Sequence, residues 1–102
     1  GVLNLNDGSV SQQILGVDST FEMTLKLLAK GTGNGLVKIE YLNKNLEVIG
    51  FKEVEIKDLN NDFKTIESTF NLVKDIKGVN VIVSGKNITV DDLFFNLSNK
   101  VK

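Results

Sequence analysis

Apolar and polar residues alternate along most of the chain. Between Thr20 and Lys30, five apolar residues occupy every second position: Phe21, Met23, Leu25, Leu27 and Ala29. Successive side chains of a β-strand point to opposite faces of the sheet, so this period of two predicts a strand with one buried and one solvated face. No segment has a convincing helical period, and the pattern therefore predicts an all-β protein.

Clusters of Gly, Asn and Asp divide the chain into about eight predicted strands. The strands span residues 2–5, 9–15, 20–30, 36–42, 46–57, 63–72, 79–83 and 88–97. The segments GTGNG at 31–35 and SGKN at 84–87 are predicted as turns, and Gly50 predicts a bend or a bulge within its strand. Short strands with regular turn signals favour an antiparallel β-sandwich (jelly roll) that uses all 102 residues as one domain.

The buried face of the last predicted strand changes at Asp91 and Asp92. Ile88 and Val90 occupy even positions, whereas the apolar residues beyond the pair occupy odd positions: Leu93, Phe95 and Leu97. A strand changes its buried face only through an extra residue, so the switch predicts a β-bulge at the Asp pair. Adjacent carboxylates on one strand cannot flank a sugar ring as glycosidase carboxylates do, which argues against catalysis. A structural role is favoured, in which the pair accepts N–H groups of a loop or holds a cation.

The composition removes several classes of function. The chain has no Cys, His, Trp or Pro, so thiol chemistry, imidazole base chemistry and the usual zinc sites are excluded, and we predict no enzymatic activity. The net charge is −1 and all 12 basic residues are Lys, which gives no electrostatic case for nucleic acid. The apolar runs are too short to cross a bilayer, so no membrane insertion is expected.

Candidate ligand-binding residues follow from the same alternation. Tyr41 shares the parity of Val37 and Ile39 and is predicted in the core. Three phenylalanines lie off the core parity, either buried under loops or exposed as a binding platform: Phe51, Phe63 and Phe94. Flat aromatic faces beside hydrogen-bonding groups are what a sugar site requires. Five polar residues of the predicted wet faces are candidates for that role: Lys26, Lys38, Glu40, Glu67 and Asn71.

Five segments occur in a recognisable order along nearly the whole chain. They are VSQ at 10–12, an alternating strand at 21–31, a hairpin pattern at 37–48, FKTIESTF at 63–70 and ITVDDLFF at 88–95. This ordered set resembles jelly-roll carbohydrate-binding modules of the galactose-binding-domain-like type. The resemblance implies non-catalytic glycan binding by an accessory module. It also implies a structural calcium ion near Asp91 and Asp92.

Two functions are expected from these observations. The first is a carbohydrate-binding module-like domain of a secreted or surface protein, with a glycan or another surface ligand and the other domains of its parent chain as partners. The alternative is a structural or protein-interaction β-sandwich of a toxin, adhesin, surface layer or phage tail. Both predict an extracellular, cell-surface or virion-surface location. Because the chain opens abruptly at Gly1, we expect a domain of a larger protein.

Overall fold

The computed structural model describes residues 2–99, which form one antiparallel sheet of six strands. The strands are β1 (Val2–Leu5), β2 (Gly8–Leu15), β3 (Phe21–Leu42), β4 (Val48–Ile56), β5 (Lys64–Asn71) and β6 (Gly78–Asn99). None of the described residues is helical, and none forms a helix suited to crossing a membrane. The prediction of an all-β, antiparallel protein is therefore confirmed.

Two of the predicted turns are wrong, because β3 and β6 run through them. Each of these strands has 22 residues, and they pair with each other from Phe21↔Asn99 to Leu42↔Gly78. The glycines of the GTGNG segment serve close approach instead of chain reversal. A Cβ atom at Gly33 would collide with the carbonyl oxygen of Lys86 on β6. The eight predicted strands thus become six, since two pairs of them are continuous.

The sheet has two halves that meet where β3 and β6 pass through these glycines. The β1/β5 half comprises β1, β5, residues 21–31 of β3 and residues 88–99 of β6. The β2/β4 half comprises β2, β4, residues 34–42 of β3 and residues 78–86 of β6. β1 and β2 follow each other along the same side of β6, and Asp7, with φ 61°, connects them.

Both halves contribute to one hydrophobic cluster. Met23, Leu25, Leu27 and Ala29 from the β1/β5 half are fully buried, and so are Val37, Ile39 and Val79 from the β2/β4 half. No polar or charged residue among residues 2–99 is buried. The alternation of the sequence thus separates a continuous apolar face from an outer polar face, as predicted.

The predicted bulge lies at the Asp pair of β6. Lys26 pairs with Phe94 and Leu28 with Asp91, so β6 has one residue more than β3 between these pairs. Asp92 has φ 51°, and beyond it Leu93, Phe95 and Leu97 pack half-buried against the core. The change of parity is confirmed, although these three side chains are less buried than Ile88 and Val90 before the bulge.

A second bulge accounts for the bend predicted at Gly50. Tyr41 pairs with Gly50 and Leu42 with Val48, which leaves Ile49 as the extra residue of β4. Ile49 and Val48 are both exposed as a result. A Cβ atom at Gly50 would lie 3.2 Å from the Tyr41 ring, so the glycine leaves room for the buried aromatic side chain.

Candidate functional site

All three off-parity phenylalanines are exposed. The exposed fractions are 57% for Phe51, 41% for Phe63 and 52% for Phe94. Tyr41 is buried, as predicted, with 6% exposed. Of the two interpretations left open by the sequence, burial under loops is therefore wrong. Exposed aromatic rings are available to stack on a ligand.

The predicted site residues do not form a single platform. Phe51 lies in the β2/β4 half, where its strand partner is Glu40 and Lys38 lies nearby. Phe94 lies in the β1/β5 half, and Lys26 pairs with it. Glu67 and Asn71 lie on β5 in this half, whereas Phe63 lies in the loop before β5. Long-range strand pairing decides this division, and single-sequence periodicity contains no information about it.

Phe94 lines a shallow depression on the outer face of the β1/β5 half. The depression has a volume of about 430 Å³ and is lined by Lys26, Leu27, Leu28, Thr65, Asp92 and Phe94. Leu28 is half-buried on the otherwise polar face, next to the bulge that presents Asp92. The site combines an aromatic ring with a carboxylate, an ammonium and a hydroxyl group.

Sequence reasoning missed three residues of this depression as ligand contacts: Leu28, Thr65 and Asp92. The sequence contains one indication of this site. Leu28 is the single large apolar residue among the even-numbered, otherwise polar positions between Thr20 and Lys30. An apolar residue on a wet face marks a surface that contacts something other than water. Thr65 is brought in only by its pairing with Leu28 across β3 and β5.

Polar groups continue along the outer face beyond the depression. Lys26 lies between Phe94 on β6 and Glu67 on β5 in one row of the sheet. In the next row the hydroxyls of Thr24 and Thr69 lie 3.0 Å apart and share a hydrogen bond. The polar groups of the two rows therefore form one surface, since side chains of a row are close neighbours across strands.

Phe51 has a different environment, because the polar groups around it bind one another. The Lys38 Nζ atom lies 4.9 Å from the centroid of the Phe51 ring and 4.0 Å from Glu40 Oε2. The Asn80 amide donates to Glu40 Oε1 at 3.3 Å, and Gln13 donates to Asn80 Oδ1 at 3.2 Å. A ligand at this ring would have to displace the ammonium group and compete with these contacts.

The Phe63 ring is likewise approached by a cation. The Lys30 Nζ atom lies 4.6 Å from its centroid. Within residues 2–99, no such cation–ring contact involves Phe94. Of the three exposed rings, Phe94 is therefore the one whose face is not covered by a cation among the described residues.

The Asp pair makes a hydrogen bond within the bulge, and few acidic side chains lie around it. The Asp91 Oδ1 atom accepts the Asp92 N–H at 2.8 Å, so this hydrogen bond lies within the bulge and its donor is not the loop N–H predicted for the pair. Within the described part of the chain, no three acidic side chains converge in a way that could hold a metal ion. Calcium prefers about six to eight oxygen ligands. Asp91 and Asp92 alone supply too few oxygen atoms, so the calcium site that the resemblance implies would also need carbonyl and amide oxygens, and it stays a prediction.

No protein-family model and no curated protein matches the sequence. Solved structures do match. The enzymatically active domain of tailspike protein 4 of bacteriophage CBA120 has a TM-score of 0.71 and 18% identity, over 95% of this chain and 15% of that chain. A CBM4 structure has a TM-score of 0.62 and 16% identity, over 95% of this chain and 70% of that chain.

A family 16 carbohydrate-binding module is also similar, with a TM-score of 0.57 and 9% identity, over 93% of this chain and 74% of that chain. The chain thus spans most of each module's length but a small part of the tailspike chain. At these identities the similarity concerns the fold, which is like that of carbohydrate-binding modules. A fold of this kind supports several functions, so the function has to be argued from the site.

Proposed function

We propose that this domain binds glycan without catalysing a reaction, and that the Phe94 depression is its binding site. The observation that carries the proposal is the exposed Phe94 ring, which lies at the edge of a depression with polar groups on several sides. One face of a sugar ring is formed mainly by C–H groups and packs on an aromatic side chain. Its hydroxyl groups then bind the polar side chains at the rim.

The polar residues have distinct tasks in this proposal. Asp92 accepts hydrogen bonds from sugar hydroxyls, Lys26 donates them, and the Thr65 hydroxyl does either. Because Phe has no hydroxyl group, these neighbours fix the orientation of the sugar. Glu67 and Asn71 lie further along β5 and would contact an adjoining sugar unit.

The absence of catalysis rests on chemistry. The sequence has no His and no Cys, and Asp91 and Asp92 are neighbours on one strand. A glycosidase places its two carboxyl groups on opposite sides of the scissile bond, at least about 5 Å apart. Binding is therefore favoured over hydrolysis.

The finer description of the fold belongs to the same proposal. Residues such as Met23 and Ile39 are fully buried although they lie on one face of a sheet, and such a face needs a cover. We propose that the two halves cover each other as a jelly-roll sandwich of the galactose-binding-domain-like type. Such a module serves as an accessory domain of an extracellular or surface protein and brings its partner domains to a glycan.

A second candidate is a protein-interaction domain, for example in a phage tail. Apolar side chains cluster at the hairpin between β3 and β4, where Leu46, Val48 and Ile49 are 53%, 54% and 41% exposed. Exposed apolar patches mark contact sites for other proteins. The similarity to a tailspike domain is consistent with this alternative.

The test is a glycan array, followed by calorimetric titration of the best ligand. An open platform buries little of a sugar, so we expect a Kd of about 10⁻⁵ to 10⁻³ M. Replacement Phe94→Ala should weaken binding at least tenfold, which corresponds to about 1.4 kcal/mol. The matched control is Phe51→Ala, which removes an equally exposed ring from the other half and should change the Kd less than twofold.

Circular dichroism of both variants would establish that they fold. Two results would contradict the proposal. The first is that no glycan on the array binds, which would favour the protein-interaction candidate. The second is that Phe51→Ala abolishes binding while Phe94→Ala does not, which would move the site to the β2/β4 half.

A further inference from the structure

β2 is an edge strand without the usual protection against pairing. Within residues 2–99 it pairs with β6 alone, and its eight residues, GSVSQQIL, are exposed except for Ile14. None of these residues is charged or is Pro, and the register with β6 has no bulge. Natural edge strands are blocked by charges, Pro, bulges or short length, because their free N–H and C=O groups can bind another strand.

The other edge strands have these features. β4 has three charged residues, Lys52, Glu53 and Glu55, in addition to its bulge at Ile49. β5 begins with Lys64 and has Glu67 at its centre, and β1 is only four residues long. Among the four strands that have a single partner strand, the lack of protection is thus specific to β2, although the outer edge of β6 over residues 93–99 also has no partner strand within residues 2–99.

A cleft beside β2 is a second and independent observation. It has a volume of about 200 Å³ and extends from Val10 and Gln12 of β2, across Val81, to Leu93 and Phe95 beyond the bulge of β6. Val10 is 40% exposed, and Leu93 and Phe95 are half-buried. The apolar face of the protein is therefore open to solvent along the β2 edge.

We propose that a second copy of this chain pairs antiparallel with β2 through its own β2. In a two-fold register centred on Gln12, Val10 faces Ile14 of the second copy, and Ser11 faces Gln13. Residues directly opposite in an antiparallel pair lie on the same face, so Val10 and Ile14 meet over the cleft on either side of a central pair of Gln12 side chains, and Ser11 and Gln13 meet on the outer face. The strand is complementary to itself and brings no like charges together.

The pairing joins the two β2/β4 halves into one continuous sheet across the dimer. Each copy keeps its Phe94 depression, which lies in the other half of the sheet. A dimer would therefore present two copies of that surface on one body. The inference does not depend on the proposed glycan, because it rests on β2 and its cleft alone.

Sedimentation equilibrium of the purified chain, from micromolar to millimolar concentration, tests the pairing. We expect a concentration-dependent dimer for the wild type. Replacements Gln12→Lys and Gln12→Glu each place like charges face to face at the two-fold axis, and each should weaken the dimer at least tenfold. An equimolar mixture of the two variants should restore it, because the charges then attract.

The matched control is Thr69→Lys, which adds the same charge to an exposed position of a different edge strand, β5. It should dimerise like the wild type. A wild type that remains monomeric at every concentration overturns the proposal, and so does a Gln12→Lys variant that dimerises normally. A mixture of the two Gln12 variants that stays monomeric overturns the register centred on Gln12.

Discussion

Short polar residues adopt most of the unusual backbone conformations in this protein. Among residues 2–99, six non-glycine residues have positive φ, and five of them are Asp or Asn: Asp7, Asp58, Asp75, Asn87 and Asp92. Their side chains tolerate the left-handed region better than larger side chains do. The sequence predicts turns or loops at the first four of these positions and a bulge at Asp92, but only tertiary context separates the positions in loops from those inside strands. Asp58 and Asp75 lie in loops, Asn87 lies inside a long strand, and Asp92 forms a bulge.

Tyr41 provides a test at the scale of one residue. It is the only tyrosine in the chain, and its burial raises the pKa of the phenol above its ordinary value of 10.0. The folded state therefore favours the protonated phenol. The stability from this preference is fully present below the unfolded pKa and is lost as the pH rises through the folded pKa.

Alkaline titration monitored by phenolate absorbance should show a midpoint above pH 10 in the folded protein, or ionisation together with unfolding. In concentrated denaturant the same group should titrate near its ordinary pKa of about 10. A midpoint at or below the denatured value in the folded protein would show that Tyr41 is not buried as described.

At the scale of elements, the alternation of apolar and polar positions predicted the strands better than the composition of the presumed turns did. The change from even to odd apolar positions predicted the bulge of β6, because the period of a strand is fixed by its geometry. The turn predicted from the glycines at 31–35 was wrong, since Gly occurs where two strands approach closely as well as where the chain reverses. The sequence also could not predict that Phe51 and Phe94 lie in different halves, because this depends on strand pairing between distant segments.

The bulge predicts a large loss of stability for one change at Asp92 and little effect for another. Deletion of Asp92 should turn Leu93, Phe95 and Leu97 outward and lower the free energy of unfolding by about 2–4 kcal/mol, since all three are half-buried. Replacement Asp92→Gly keeps the residue count, and Gly adopts the φ of 51° without strain, so stability should change by less than about 1 kcal/mol. Urea denaturation measures both. A deletion variant as stable as Asp92→Gly would be incompatible with the bulge.

The two halves of the sheet form one packing unit at the scale of the whole molecule. β3 and β6 cross from one half to the other, and the buried side chains of both halves belong to a single cluster. Loss of packing in one half should therefore also lower the stability of the other half. A domain of this size generally unfolds in one cooperative transition.

Tyr41 makes this coupling measurable, because it lies in the β2/β4 half and is the only Tyr in a chain without Trp. Replacement Leu25→Ala removes a fully buried side chain from the β1/β5 half and should cost about 2–5 kcal/mol. We expect the Tm measured by tyrosine fluorescence and the Tm measured by far-ultraviolet circular dichroism to fall by the same amount, roughly 10 °C or more. The control Leu15→Ala truncates a leucine that is 58% exposed and should leave the Tm nearly unchanged. If Leu25→Ala lowered the circular dichroism midpoint while tyrosine still melted at the wild-type temperature, the two halves would be separate folding units and the single core would be wrong.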